Sequence, residues 1–326
     1  MLSCFVSNLT PVMPARTEKV SVVTRTRNRP LLLERAMKSV LGQSFSDWAH
    51  FIINDGGNPE FVDHLALKYR HQYRGRLRVL HNPVSFGMEA ASNAAICRTR
   101  GAYVAIHDDD DSWATEFLTE TVQCLDSHSA NPQIGGVVTH CKVIHEEIRN
   151  NSVIKLSEGL FREKQHAITY FEMLAENCFP PICFLFRRSA LESVGLFDSS
   201  IFVLGDWDFN LRLMRHADIL VIPSTLANYH HRPKADGPEQ LSNSVYADNE
   251  NHRATRRRLL DRAIRGDLDA GAQSLSSVLL FAEVMRKLEQ MESKLDDSIR
   301  KISNDLAFEF RSHVDWLAGK YDQKEK

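Results

Sequence analysis

Gly101-Ala-Tyr-Val-Ala-Ile-His-Asp-Asp-Asp-Asp-Ser-Trp113 sets an apolar run directly against four consecutive carboxylates, Asp108 to Asp111. Residues 102–106 read as a short buried strand. A strand that ends in a block of carboxylates works against itself. Each charge repels the next, and burial pushes a carboxyl pKa upward unless a cation is near. Two readings follow from these residues alone. One is a solvated acidic turn; the other is a strand end, at the ligand-binding edge of an open α/β sheet, that holds a hard divalent cation through carboxylate oxygens.

The flanking sequence decides what kind of sheet this strand joins. Toward the N-terminus, residues 20–23 predict a β-branched strand, and 31–41 a helix with Pro30 in its first turn. A second strand at 48–53 ends at Asn54-Asp55-Gly56-Gly57, followed by a helix over 61–74, a strand over 77–80 and a helix over 88–99. This alternation predicts an α/β fold, with a Rossmann-like, mostly parallel sheet flanked by helices on both faces. Toward the C-terminus a helix is expected over 115–127 and a strand over 134–139, while 145–165 reads as polar and irregular. Then come a short helix at 168–175, the turn Cys178-Phe-Pro-Pro-Ile182 and a strand at 183–186. Helices at 189–194 (ending at Gly195) and 207–216 and a strand at 219–222 complete the pattern.

Bulk properties narrow the class. The chain has 326 residues, 43% hydrophobic and 25% charged, with a formal net charge of -2, so neither nucleic acid nor an anionic membrane is attracted globally. The six cysteines, at 4, 97, 124, 141, 178 and 183, form no CxxC pair, which points to reduced, mostly buried thiols rather than a zinc site. No apolar run approaches the ~20 residues that span a bilayer. A cytoplasmic protein is expected, with a peripheral position at the inner membrane face as the alternative. The expected organisation is an N-terminal tail (1–17), an α/β domain (18–240) and a helical C-terminal extension (241–326). In that extension Val284, Leu288, Met291, Leu295, Ile302 and Leu306 recur at intervals of three, four and seven. They predict a long amphipathic helix over 275–310, either a coiled-coil seam or a helix packed on its own domain. Arg253, Arg256, Arg257, Arg258, Arg262 and Arg265 read as a solvated helix face, or as a patch drawn to anionic lipid. No aromatics are interleaved with them for base stacking, and no nucleic-acid partner is expected.

Several stretches together resemble the GT-A glycosyltransferases, specifically the large inverting family 2. They are Val20-Ser-Val-Val-Thr-Arg-Thr-Arg-Asn-Arg-Pro30, Val40-Leu-Gly-Gln-Ser-Phe-Ser-Asp-Trp48, Ile53-Asn-Asp-Gly-Gly57, the DxD strand 101–113, and 184–213 with its Gly205-Asp206-Trp207-Asp208 helix start. The resemblance covers roughly residues 18–235 and implies a GT-A fold, a nucleotide-sugar donor (UDP-, dTDP- or GDP-linked) and Mn²⁺ or Mg²⁺. It implies a saccharide or lipid-linked glycan acceptor, in bacterial surface polysaccharide synthesis. By position, Thr26, Arg27, Asp55, Asn93 and Asp108 would line the nucleotide. Asp110 would coordinate the metal, with His231, or alternatively His230, as a further ligand. Asp109 and Asp111 would support the strand end. Asp206 would be the catalytic base, a role compatible with its also being the N-cap of the helix over 207–216. Arg232 and Lys234 would clamp the diphosphate, and 233–244 would form a mobile lid.

The sequence departs from the family pattern at two positions. Arg25 stands where proline is common, and Gly205 where a glutamate usually precedes the base. Two rival readings share the sheet and the carboxylates. A sugar-phosphate nucleotidyltransferase would carry a glycine-rich loop after the first strand, and residues 24–30 contain no glycine. A catalytically silent GT-A scaffold would have no use for both Asp110 and Asp206.

Overall fold

A computed structural model describes residues 18–150, 152–162, 166–232 and 249–269, and within 281–306 residues 281, 284, 287, 288, 291, 294–303 and 306. The tail at 1–17 and the proposed lid at 233–244 lie outside the described residues. Contacts divide the chain into two compact units, Met1–Arg256 and Arg257–Lys326.

The first unit is built on β1 (Val20–Thr26), β2 (Trp48–Asp55), β3 (Leu77–Asn82) and β4 (Tyr103–Ile106), paired in parallel in the order β3-β2-β1-β4. Helices α1 (Pro30–Leu41), α2 (Pro59–Tyr73) and α3 (Met88–Ile96) make the crossovers. The strands are short because their ends are punctuated: Pro30 and Pro59 open helices, and Asn58 caps α2 by accepting from the Glu60 N–H. Gly56, at φ +73°, turns the chain out of β2. Val22, Val23, Ile52 and Ile53 are all at 0% exposure, the burial of strands covered on both faces. Each such side chain contributes about 1.5–3 kcal/mol.

Beyond β4 the sheet is mixed. It continues through β8 (Phe184–Arg187), β6 (Ile134–Arg149), β9 (Asp218–His231) and the two-residue β5 (Ser112–Trp113), with β7 (Ser152–Leu160) paired to β6. Strand β8 is antiparallel to both β4 and β6, whereas β9 runs parallel to β6. Helices α4 (Phe117–Ser127), α5 (Tyr170–Ala175), α6 (Ala190–Val194) and α7 (Gly205–Met214) pack around this half, and α8 (Asn249–Asp269) follows. Within the stretch 145–165, expected to be irregular, residues 145–149 instead pair with 152–157 as two antiparallel strands. Arg149 pairs with Ser152, and Asn150 takes φ +50°. Asn150-Asn151 between Val143-Ile144 and Val153-Ile154 is a hairpin signal that the polarity of the segment obscured. The strand expected at 219–222 runs on to His231, so the histidine pair lies at a strand end and not on a loop.

Cys97, Cys124, Cys141, Cys178 and Cys183 are free, and the last three are buried. Among the described residues no helix is long and apolar enough to cross a membrane.

Candidate active site

The four aspartates after β4 meet different sets of partners, and this eases the electrostatic problem of the block. Asp108 accepts from Arg25 Nε at 2.9 Å. Asp109, fully buried, accepts from Thr26 Oγ1 at 2.6 Å and pairs with Arg29 at 2.6 Å. Burial is the largest influence on Asp109 and pushes its carboxyl up to about 6, despite Arg29. Burial acts the same way on Asp110, but Arg29, Arg232 and Arg35 outweigh it and hold that carboxyl below its usual range. Among the described residues no such cation is at contact with Asp111. Burial, and then Asp110 and Asp108, push it far up, and it takes the His230 N–H at 2.9 Å, anchoring β9 to the strand end.

Behind Asp110 lies a carboxylate that the motifs did not single out. Glu146 of β6 is 2% exposed and receives Arg35 Nη1 at 2.8 Å, Arg232 Nη1 at 2.6 Å and His230 Nδ1 at 2.7 Å. Burial raises its pKa, but His230 and Arg35 more than offset that, and it falls to about 2. The β6–β7 register shifts between His145 and Glu146, the kind of irregularity that re-aims a side chain near a site. Arg232, at 0% exposure, bridges Glu146 and Asp110, and Arg35 also donates to the Asp110 carbonyl. Of the two histidines, His230 has Nδ1 on Glu146 and Nε2 on Ser112 Oγ at 2.9 Å. His231 packs edge-on against Tyr229 and His145. Burial, with His145 and Arg232, lowers it to about 4, so its ring is neutral at physiological pH.

Asp206 lies in the first turn of α7, whose N-cap is Leu204 and whose first residue is Gly205. It is therefore inside the helix rather than its cap, near the positive end of the helix dipole. Leu204 adopts φ +66°, a left-handed conformation costing roughly 1–2 kcal/mol for a non-glycine residue. Asn177 donates to Asp206 Oδ2 at 2.6 Å, and Trp207 Nε1 ties α7 to the Met173 carbonyl at 2.6 Å. Burial raises the Asp206 pKa; Asn177, the Trp207 N–H and Arg25 oppose the shift, and Asp108 adds to it. A carboxyl with raised proton affinity thus shares its electrostatic surroundings with the end of β4.

Of the remaining residues implied by the resemblance, Asp55 and Asn93 hold loops in place. Asp55 receives Asn82 Nδ2 at 2.8 Å, Ser85 Oγ at 2.7 Å, and the Phe86 and Gly87 N–H groups at 3.0 Å each. Those bonds overcome burial and lower its pKa. They fix the 82–87 loop, which leaves Phe86 54% exposed. Asn93 uses both ends of its amide on the Phe197 backbone, at 2.8 and 3.1 Å. Arg27 is exposed. Phe202, in the loop pinned by Asn93, is 74% exposed, whereas Phe179 and Phe197 are buried.

A curled, mixed sheet of this order, with carboxylates at the end of β4 and an acidic helix start beside them, defines a GT-A glycosyltransferase. The model of the family described as glycosyl transferase family 2 matches residues 21–195, more than half of the chain. The chain belongs to that family. It is 23% identical over 211 residues to the uncharacterized glycosyltransferase YwdF of Bacillus subtilis, spanning 65% of this chain and 74% of YwdF. It is 33% identical over 100 residues to the putative colanic acid biosynthesis glycosyl transferase WcaA of Escherichia coli, spanning 31% of this chain and 35% of WcaA. The mannosyltransferase PcManGT of Pyrobaculum calidifontis, solved with GDP-Man and Mn²⁺, shares the fold at a TM-score of 0.50 and 17% identity. That likeness covers 82% of this chain and 80% of PcManGT. The family match ends before α7, so the role of Asp206 rests on the geometry of this chain.

Proposed function

We propose that this chain is an inverting hexosyl- or deoxyhexosyltransferase, moving a sugar from a nucleotide-sugar donor to a hydroxyl of a saccharide or lipid-linked glycan. The supporting observation is the pairing of two chemistries: Asp206, raised in proton affinity by burial, interacts electrostatically with Asp108 and Arg25 at the end of β4. Asp206 takes the acceptor hydroxyl's proton as that oxygen attacks the anomeric carbon. The bond from that carbon to the diphosphate breaks on the opposite face, and the nucleoside diphosphate leaves with the electron pair. Arg29 and Arg232, gathered on Asp110, place positive charge where the departing diphosphate accumulates negative charge.

The donor set fits a divalent cation as a partial shell. Among the described residues no three His, Cys, Asp or Glu side chains gather as a cage. Mg²⁺ sites commonly use one or two carboxylates and complete the shell with substrate phosphates and water. Asp110 and the neutral His231 would hold Mn²⁺ or Mg²⁺ in this way. His230 is the weaker candidate because both of its ring nitrogens are engaged. The ion would supply a Lewis acid for the diphosphate. WcaA, and the TuaG protein of Bacillus subtilis named for teichuronic acid biosynthesis, support a role in bacterial surface polysaccharide synthesis. The exposed Phe86 and Phe202 are candidate stacking faces for a sugar ring.

The test is a thermal-shift panel of UDP, dTDP and GDP with Mn²⁺ or Mg²⁺. One nucleotide should stabilise the protein by about 2.7 kcal/mol at a hundredfold excess over its Kd. Asp206→Asn should keep that shift and lose release of the nucleoside diphosphate from the matching sugar nucleotide. Near-normal release by the variant, or a panel with no shift at all, overturns the reading.

A further inference from the structure

Gly205, directly before Asp206, is buried, and its φ is not in the left-handed region. Its lack of a side chain therefore serves space rather than backbone freedom. A Cβ built there would lie 2.2 Å from Glu89 Oε1, 2.4 Å from its Cγ and 2.5 Å from its Cδ. Glu89 comes from the first turn of α3 and is 4% exposed. Its Oε2 is buried and has no hydrogen-bond partner among the described residues. A buried carboxyl oxygen without a partner is costly. The charged groups that act on it are Arg25 from β1, Asp108 from the end of β4 and Asp206 from α7. Arg25 in turn bonds Ser92 Oγ at 3.0 Å and Asp108 at 2.9 Å, which places α3, β1 and the strand end in one network.

We propose that Glu89 is a positioning residue for Asp206, delivered from α3 into the space that Gly205 vacates, where its charge state sets the proton affinity of the base. The inference rests on the reading of Asp206 as base. Burial is the largest influence on Glu89 and raises it to about 7; Arg25 opposes the shift, and Asp206 and Asp108 add to it. Below about 7 Glu89 therefore holds its proton and adds no second charge beside Asp206. When Glu89 ionises, the second charge strengthens Asp206 as a proton acceptor.

The experiment uses the full chain and follows release of nucleoside diphosphate from UDP-, dTDP- and GDP-sugars with Mn²⁺ as a function of pH. The wild type should show an inflection in kcat near the Glu89 pKa of about 7. Glu89→Gln should remove that inflection and lower kcat roughly tenfold, with the donor KM nearly unchanged. Gly205→Glu should be inactive through collision with Glu89, and combining it with Glu89→Ala should restore both kcat and the inflection. An unchanged profile in Glu89→Gln, or no recovery in the combined variant, overturns the proposal.

Thermal unfolding against pH decides the coupling separately. Glu89 has a raised folded-state pKa, so its stabilisation is complete below its ordinary pKa and lost as pH rises through about 7. Glu89→Gln should flatten that decline, and by a different amount in an Asp206→Asn background. Additive effects in the two backgrounds overturn the coupling. If the wild type releases no nucleoside diphosphate from any donor, the proposed function fails, and this titration still decides the relation between Glu89 and Asp206.

Discussion

At the scale of single residues, neighbouring carboxylates differ because their counter-charges differ. Asp109 is committed to Thr26 and Arg29, while Asp110 is lowered by three guanidinium groups. If Asp110 is the metal-binding carboxylate, Asp110→Ala should abolish the Mn²⁺-dependent part of nucleotide binding. Asp109→Asn should preserve it. Calorimetry with and without Mn²⁺, using the nucleotide selected by the panel, checks this, and equal metal dependence in wild type and Asp110→Ala would remove Asp110 from the role. The order of motifs made Asp110 and Asp206 candidates in advance because they sit at a strand end and a helix start. Arg25 and Arg29 were hidden as residues of a short loop, since only the closeness of β1 to β4 puts them against the aspartates. Glu89 was harder still to see. It gains meaning from the absence of a side chain at Gly205, far away in sequence, and a glycine there looks like a loss until the helix facing it is known.

At the scale of elements, the long pairing of β6 with β9 brings Glu146 to Arg232 and His230, and α1 adds Arg35. The first four strands could be anticipated because each is short, apolar and bounded by Gly, Pro or Asn. The distal halves of β6 and β9 could not, because one face of each is polar and serves the ion network instead of the core. Glu146→Ala leaves Arg232, at 0% exposure, without the Glu146 carboxylate that it pairs with. Breaking a buried pair from one side costs about 3–5 kcal/mol, because the surviving charge stays desolvated. Denaturant unfolding at neutral pH should register that loss, and a change below 1 kcal/mol would show that the network is solvated or redundant. The acid dependence has a definite sign. Glu146 has a depressed folded-state pKa of about 2, so its stabilisation is present above its ordinary pKa and lost as pH falls toward 2. Glu146→Gln should flatten the acid limb of the stability curve, opposite in direction to the Glu89→Gln effect above neutrality.

At the scale of the whole chain, the second unit presents an apolar stripe with no covering surface among the described residues. Phe281, Val284, Leu288, Met291, Leu295, Ile299, Ile302 and Leu306 are helical and between 46% and 65% exposed. Ile299 fills the interval that a strict heptad would give to Ser298. The spacing is therefore three, four, three, four, four, three, four, a heptad pattern interrupted by one stutter. Such a stutter locally unwinds a supercoil without breaking its seam. Charges of both signs (Lys287, Lys294, Asp296, Asp297, Arg300 and Lys301) lie between the apolar positions, as they do where two like helices pair. We propose that a second copy of this chain covers the stripe. Leu288→Lys combined with Leu295→Lys places like charges in the seam and should convert the oligomer to a monomer in light scattering coupled to size exclusion. Nucleoside diphosphate binding should be unchanged, because it belongs to the first unit. A wild-type chain that is monomeric at tens of micromolar, or a double variant with unchanged mass, would show that the stripe has another occupant.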